Sequence, residues 1–138
     1  IGTLTPLKEI TKPTKKNHFT ICFKNKYYDF KILPSLIDHT NLVNSIDSAL
    51  LTNFILTPIL GIQDLKTTDN IEFSAGNTPL LEIKDKLDSG KCELAFLLFP
   101  PTIEQVKQIA DNGLYMPPKS TWLEPKLRSG LTIYNINE

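Results

Sequence analysis

Two apolar stretches separated by a short polar turn constrain the fold more than any other feature of the sequence. Residues 19–23 and 27–33 are rich in β-branched and aromatic side chains, which favour strands. Asn25 lies at the centre of the turn between them. In the second stretch apolar and polar side chains alternate, as they do in a strand with one packed and one solvated face. The sequence therefore predicts a β-hairpin over these residues.

Capping residues and apolar spacing predict three helices after the hairpin. Apolar residues recur at three- and four-residue spacing through residues 41–56, which predicts the longest helix, with Thr40 or Asn41 as its N-cap. A second helix is expected to begin at Pro79 and to end near Gly90. A third is expected after Thr102, where a glutamine three residues later completes a capping box.

Strands are predicted between and after these helices. Residues 70–74 alternate as a short strand, and residues 94–99 are apolar on both faces, which is typical of a central strand covered on both sides. Residues 131–136 are predicted to form a final strand. Helices that alternate with strands after a hairpin indicate an α/β (α+β) fold with a mixed sheet packed against helices. We expect residues 1–17 to form a linker or edge segment and residues 18–138 to form a single domain.

Composition limits the class of function. The chain has 138 residues, enough for one domain with a core, and fifteen basic side chains balance fifteen acidic ones. A net charge of zero gives no global attraction to nucleic acid or to anionic membranes, and neither is predicted as a partner. The two cysteines lie in apolar surroundings without a Cys-x-x-Cys pattern, which predicts buried free thiols and a cytoplasmic location. No metal site is predicted, and the cofactor is unknown.

A Pro-rich segment near the C-terminus, residues 116–130, concentrates the unusual chemistry of the chain. It contains three of the ten prolines and the only tryptophan and methionine. Its prolines are expected to hold the following residues extended, so that cations and hydroxyl groups are presented with little entropy left to lose. Such groups suit a phosphate, because lysine offers a point charge and arginine can bind two oxygens at once. The phosphate-binding candidates are Lys119, Ser120, Thr121, Lys126 and Arg128.

Two carboxylates are the candidates for acid–base chemistry. Glu124 lies in the Pro-rich segment, where it either holds a neighbouring cation in place or acts as a base. Asp47 lies on the polar side of the longest predicted helix, either as a solvated carboxylate or as a site residue aimed at a cleft. Trp122 either stacks on a planar ligand or fills the core. The opposing interpretation of the whole segment is a structural belt whose ion pairs contribute little energy.

The Pro-rich segment also carries a resemblance to a known family. Residues 116–131 read MPPKSTWLEPKLRSGL, which closely resembles the terminal signature of the bacterial and archaeal family catalogued as "domain of unknown function 1015". Residues 73–76 (Phe-Ser-Ala-Gly) and residues 99–105 (Phe-Pro-Pro-Thr-Ile-Glu-Gln) are similar to further parts of that family, and Asp47 stands where the family tends to have an aspartate. The likeness extends over roughly residues 18–136.

The resemblance implies that this chain is the C-terminal part of a longer protein. It implies an N-terminal domain as a partner, a phosphorylated small molecule or nucleotide as a ligand, and a link to serine or amino-acid metabolism. No activity can be carried over, because the family has no established one. The alternative is a non-catalytic interaction or regulatory domain that docks on the N-terminal part.

Overall fold

A computed structural model of the chain describes residues 1–65 and 67–122. The described residues form one sheet and three α-helices, which confirms the predicted α/β class. The predicted strand at residues 131–136 lies outside the described residues. The elements in chain order are β1 (Gly2–Leu7), β2 (His18–Phe23), β3 (Lys26–Ile32), a 3-10 turn (Pro34–Leu36), α1 (Asp47–Leu51), a π-helical turn (Thr52–Leu56), α2 (Leu80–Asp88), β4 (Leu94–Leu98) and α3 (Ile103–Asp111).

The predicted hairpin is confirmed as β2 and β3. Phe23 stands opposite Lys26, and the two residues between them, Lys24 and Asn25, have φ angles of 47° and 57°. Two consecutive positive φ angles define the type I′ turn, whose twist matches that of the strands it joins. The hairpin therefore forms with the shortest common loop.

Every strand pairing in the described residues is antiparallel, in the order β1-β3-β2-β4, whereas a mixed sheet was expected. The reason is the direction from which the chain enters β4. Leu94, its first residue, stands opposite Phe23, the last residue of β2, and Leu98 stands opposite Phe19. The alternation of helices and strands in sequence thus does not produce a parallel crossover next to β2.

The N-terminal segment contributes an edge strand and a strap. β1 pairs with β3 along the outer edge of the sheet. The strap, residues 8–17, then returns to the start of β2. The Thr20 hydroxyl donates to the carbonyl of Thr11 at 2.7 Å, and the Lys12 ammonium donates to the carbonyl of Gly76 at 2.7 Å. Side-chain hydrogen bonds therefore attach the strap to the sheet and to a distant loop.

The longest predicted helix begins later than expected. The predicted cap at Asn41 is present, since its side chain accepts the N–H of Asn44 at 3.0 Å, but the turn does not continue into α1, because Ile46 is extended, with ψ of 139°. Residues 47–51 are α-helical, and the Thr57 N–H then bonds five residues back to the carbonyl of Thr52 at 3.0 Å, which makes the following turn a π-helix.

The two shorter helices lie close to their predicted positions. The capping box at the start of α3 is confirmed, with Gln105 N–H bonded to the Thr102 hydroxyl at 3.3 Å and the Gln105 side chain accepting the Thr102 N–H at 3.0 Å. α2 begins one residue after Pro79, which is itself the N-cap. No helix in the described ranges combines the length and apolar character that a membrane crossing requires.

The strand predictions for the middle of the chain are less accurate. Residues 70–74 form no strand, since their alternating pattern finds no pairing partner in the described part of the chain. β4 was expected to be central and covered on both sides. Within the described residues it neighbours only β2, and of its five residues only Leu97 is buried.

The main core cluster lies on one face of the sheet. Phe19 and Phe30 face it from β2 and β3, with ring centroids 6.1 Å apart. Leu50 and Leu56 pack against them from α1 and the π-helical turn. The register places His18, opposite Lys31, on the other face. The helical segment thus covers the apolar face of the hairpin, as its apolar spacing predicted.

Candidate functional site

Residues 117–121, which we call the KST loop, begin with a tight turn. The Ser120 N–H bonds to the carbonyl of Pro117 at 3.3 Å, and Lys119 has a φ of 56°. Proline at the second position and a positive φ at the third are the marks of a type II turn. The expectation that the prolines hold the next residues extended is therefore wrong, because Lys119 reverses the chain.

The turn decides which groups the KST loop presents. Lys119 and Thr121 are exposed, and none of the ion pairs in the described residues involves Lys119. The Ser120 hydroxyl donates to the carbonyl of Pro117 at 2.5 Å, so its oxygen is left as an acceptor. In this conformation the donors available to an anion are the Lys119 ammonium and the Thr121 hydroxyl.

The other candidates in the Pro-rich segment, Glu124, Lys126 and Arg128, lie outside the described residues. No hydrogen bond or ion pair in the described part of the chain joins Asp47 to Lys119, Ser120 or Thr121. The polar contacts of the turn are local, within residues 117–120. The structure thus gives Asp47 and the KST loop separate environments.

Asp47 is buried rather than solvated, with 6% of its surface exposed. It is the first residue of α1, and its two carboxylate oxygens accept the Asn17 N–H at 3.0 and 3.1 Å. Burial raises the pKa of Asp47 to about 6, against the lowering effects of this hydrogen bond and of the charges on Lys16 and His18. Asp47 therefore attaches the end of the strap to the core helix.

A histidine–aspartate pair beside Asp47 was not anticipated from the sequence. His18 Nδ1 lies 3.1 Å from both carboxylate oxygens of Asp29, across the hairpin. Asp29 stands opposite Thr20, so the pair is diagonal, and both side chains are partly exposed. The sequence could have predicted this pair, because a two-residue hairpin turn fixes which residues of β2 and β3 share a face of the sheet. Such a pair fixes the orientation of the imidazole ring.

The two cysteines are free thiols, and Cys22 is fully buried. Burial, and to a lesser degree proximity to Cys92, raises the pKa of the Cys22 thiol to about 11. The thiolate is the nucleophile and the metal ligand, so a thiol held protonated at neutral pH is inert. Cys92 instead directs its sulfur to the carbonyl of Leu94, at 2.9 Å.

Potential metal ligands do not converge in the described residues. No group of three or more His, Cys, Asp or Glu side chains there is arranged to hold an ion. Besides Asp29, which pairs with His18, carboxylates pair with surface lysines, and Lys86 lies 2.7 Å from Glu72 and 3.3 Å from Glu82.

Comparison with known proteins returned no match to the chain among protein-family models, curated proteins or solved structures. The resemblance of residues 116–131 to the family named above thus stays a prediction.

Proposed function

We propose that the chain binds a phosphorylated small molecule or a nucleotide through the KST loop, with Lys126 and Arg128 as further cations of the same Pro-rich segment. The observation that carries the proposal is the conformation of Lys119. An exposed lysine occupies the one turn position with φ of 56°, where glycine or asparagine is favoured. A residue with a side chain costs about 1–2 kcal/mol in that conformation. Lys24 shares such a φ, but its ammonium group lies 5.0 Å from the Phe23 ring, whereas Lys119 is exposed and takes part in no ion pair of the described residues, so its ammonium group is available to an anion.

Electrostatics support the same ligand. Lys119 is exposed and has no carboxylate partner among the described residues. Thr121 follows it with an exposed hydroxyl group. A phosphate oxygen accepts hydrogen bonds from both kinds of donor, and a bond to a charged donor contributes about twice as much as a neutral one.

The proposal extends to the whole protein. We place the chain as the C-terminal domain of a longer cytoplasmic protein with a link to serine or amino-acid metabolism. Its own N-terminal domain is then its protein partner, and Asp47 and Glu124 are the residues to test for proton transfer. No reaction is assigned.

Lys119→Gly should stabilise the fold and weaken ligand binding at the same time. Glycine relieves the positive φ and should raise the free energy of unfolding by about 1 kcal/mol. Loss of the ammonium group should weaken ADP or O-phosphoserine binding by about five- to tenfold, or about 1 kcal/mol. Urea denaturation gives the first quantity. Fluorescence of Trp122, the only tryptophan and close to the loop in sequence, gives the second.

Lys24→Gly is the matched control. Lys24 also has a positive φ, 47°, but lies in the hairpin turn between β2 and β3. Lys24→Gly relieves the positive φ but also removes the contact of the ammonium group with the Phe23 ring, so the stability should change little, and the fluorescence titration should not change. Equal ligand affinity in the parent, Lys24→Gly and Lys119→Gly proteins would remove the basis of the assignment.

Exposed apolar side chains around the KST loop favour a second candidate, an interaction domain without catalysis. Tyr115 is 88% exposed, Trp122 is 64% exposed and Leu114 is also exposed, and all three lie within three residues of the KST loop in sequence. Large apolar side chains that share one region of a surface are typical of protein interfaces. The occupant in this proposal is the N-terminal domain of the longer protein.

Trp122→Ala separates the two candidates. If the loop docks on the N-terminal domain, this substitution should weaken the association of the two separately expressed parts by more than tenfold, as aromatic anchors commonly do. Its effect on ADP affinity, measured by calorimetry, should be small. Lys119→Gly should show the reverse pattern. A Trp122→Ala protein that associates like the parent would contradict the docking function.

A further inference from the structure

A small cavity lies at the far end of the sheet edge, where β1 ends beside the hairpin turn. Its volume is about 230 Å³, and it is lined by residues 6–8 and 25–28. The register explains why these residues meet, since Pro6 stands opposite Tyr28 and Leu7 opposite Tyr27. Lys8 follows the end of β1, and Lys26 begins β3. The C-terminal end of β1 and the N-terminal end of β3 thus lie side by side and bring Lys8 and Lys26 to one concave surface.

The charge of the cavity is positive. Lys8 and Lys26 both line it, and no described lining residue is acidic. None of the ion pairs in the described residues involves either lysine. The chain as a whole is neutral, so this excess is local. A bound anion would be attracted to both ammonium groups.

The hairpin turn has a rigid backbone where it lines the cavity. Asn25 lines the cavity and has a φ of 57°, directly after Lys24 with 47°. A two-residue type I′ turn leaves little backbone freedom, so the Asn25 amide and the Lys26 backbone are ordered before any ligand arrives. Such order reduces the entropy cost of binding.

Size and charge together indicate the class of ligand. Ligand pockets for drug-sized molecules are commonly about 300–1,000 Å³, and this cavity is smaller. Two lysines match the charge of about −1.5 to −2 that a phosphomonoester carries at neutral pH. Pro6 and Tyr28, which the register places opposite each other, add apolar surface for a short organic part. We propose that this cavity binds a small phosphomonoester, at a site separate from the KST loop and independent of it.

Backbone amide NMR of the full chain, titrated with glycerol 3-phosphate, tests the proposal. Shifts should concentrate at residues 7, 8 and 24–28, and glycerol should produce none. Lys8→Gln and Lys26→Gln should each weaken binding by about fivefold, which corresponds to about 1 kcal/mol. Lys31→Gln is the matched control, because Lys31 is an exposed lysine on the same strand outside the cavity, and it should bind like the parent.

Two results would overturn the proposal. One is the lack of concentrated shifts at residues 7, 8 and 24–28. The other is equal weakening by Lys31→Gln and Lys26→Gln, which would indicate diffuse attraction. Lys119→Gly keeps the two sites distinguishable, since it should leave these shifts unchanged while altering the Trp122 fluorescence response. If Lys119→Gly abolishes the cavity shifts, the cavity is not a separate site.

Discussion

Replacing Asp47 with Asn should stabilise the protein at neutral pH and remove one component of its pH dependence. The folded protein holds the pKa of Asp47 at about 6, above the ordinary value of 3.8, chiefly because the carboxylate is buried. Between these values the folded state binds more protons than the unfolded state. The stability contributed by protonated Asp47 is therefore complete below pH 3.8 and is lost as the pH rises through 6. The loss amounts to about 3 kcal/mol.

Asparagine is the informative replacement because it keeps the shape without the charge. Its amide oxygen can accept the Asn17 N–H that Asp47 accepts now. The variant should be more stable than the parent by about 1–2 kcal/mol at pH 7, since it avoids the cost of a buried charge but loses a charge-assisted hydrogen bond. The difference between the two proteins should shrink as the pH falls toward 4.

Urea denaturation of both proteins across this pH range measures the difference in their free energies of unfolding. The other carboxylates are the same in both proteins, so their contributions cancel in this difference. Asp47→Ala is the control for the hydrogen bond. It removes the acceptor as well as the charge and should be less stable than Asp47→Asn by about 1–3 kcal/mol. A parent-to-Asn difference that stays constant from pH 4 to pH 7 would show that burial does not perturb Asp47.

The same variant bears on the catalytic hypothesis for Asp47. A carboxylate with a raised pKa is a reasonable proton donor or acceptor, but structural hydrogen bonds also perturb pKa values. Asp47 contacts the backbone of Asn17 and belongs to the attachment of the strap. If Asp47→Asn gains stability and keeps the ligand affinity of the parent, the attachment is its role.

Local signals in the sequence predicted local structure well. The hairpin followed from strand composition around a polar turn, and the start of α3 followed from the Thr102–Gln105 capping box. Both depend on interactions between residues close in sequence. The apolar spacing of residues 41–56 also placed Leu50 and Leu56 in the core. The cap at Asn41 also formed as predicted, but the spacing gave no sign that an extended Ile46 would separate that turn from α1.

Features that depend on distant partners were not predictable in this way. Residues 70–74 alternate like a strand, yet a strand needs a neighbour, and the sequence does not supply its location. The direction of β4 depends on how α2 returns the chain to the sheet. The burial of Asp47 depends on the strap, whose path was not apparent from its prolines and lysines.

The candidate site shows the same limit. Two prolines predicted a stiff segment, but stiffness does not specify direction. Lysine is an uncommon residue at positive φ, so nothing in the sequence suggested that Lys119 would turn the chain. The His18–Asp29 pair required the register of the hairpin. Residue types thus indicated the chemistry, and tertiary contacts decided which groups remained available.

Two phenylalanines on the same strand should differ sharply in their contribution to stability. Phe19 and Phe23 lie four residues apart in β2, so their side chains share the core face of the sheet. Phe19 has 0% of its surface exposed and packs against Phe30, whereas Phe23 is 41% exposed at the end of the strand. Phe19→Ala should lower the free energy of unfolding by about 3–5 kcal/mol, because it removes buried apolar surface and leaves a cavity.

Phe23→Ala, the matched control, should cost only about 1 kcal/mol, since much of its ring already contacts water. That figure includes a contact with the Lys24 ammonium, 5.0 Å above the ring, which contributes about 0.5–1 kcal/mol at an exposed site. Urea denaturation of both variants gives the comparison. Because a domain of this size is stable by only about 5–15 kcal/mol, Phe19→Leu is included as a milder change that should retain the fold. In the structure Phe19 packs in the core with Phe30 and the helical segment. Equal losses of stability for Phe19→Ala and Phe23→Ala would contradict this packing.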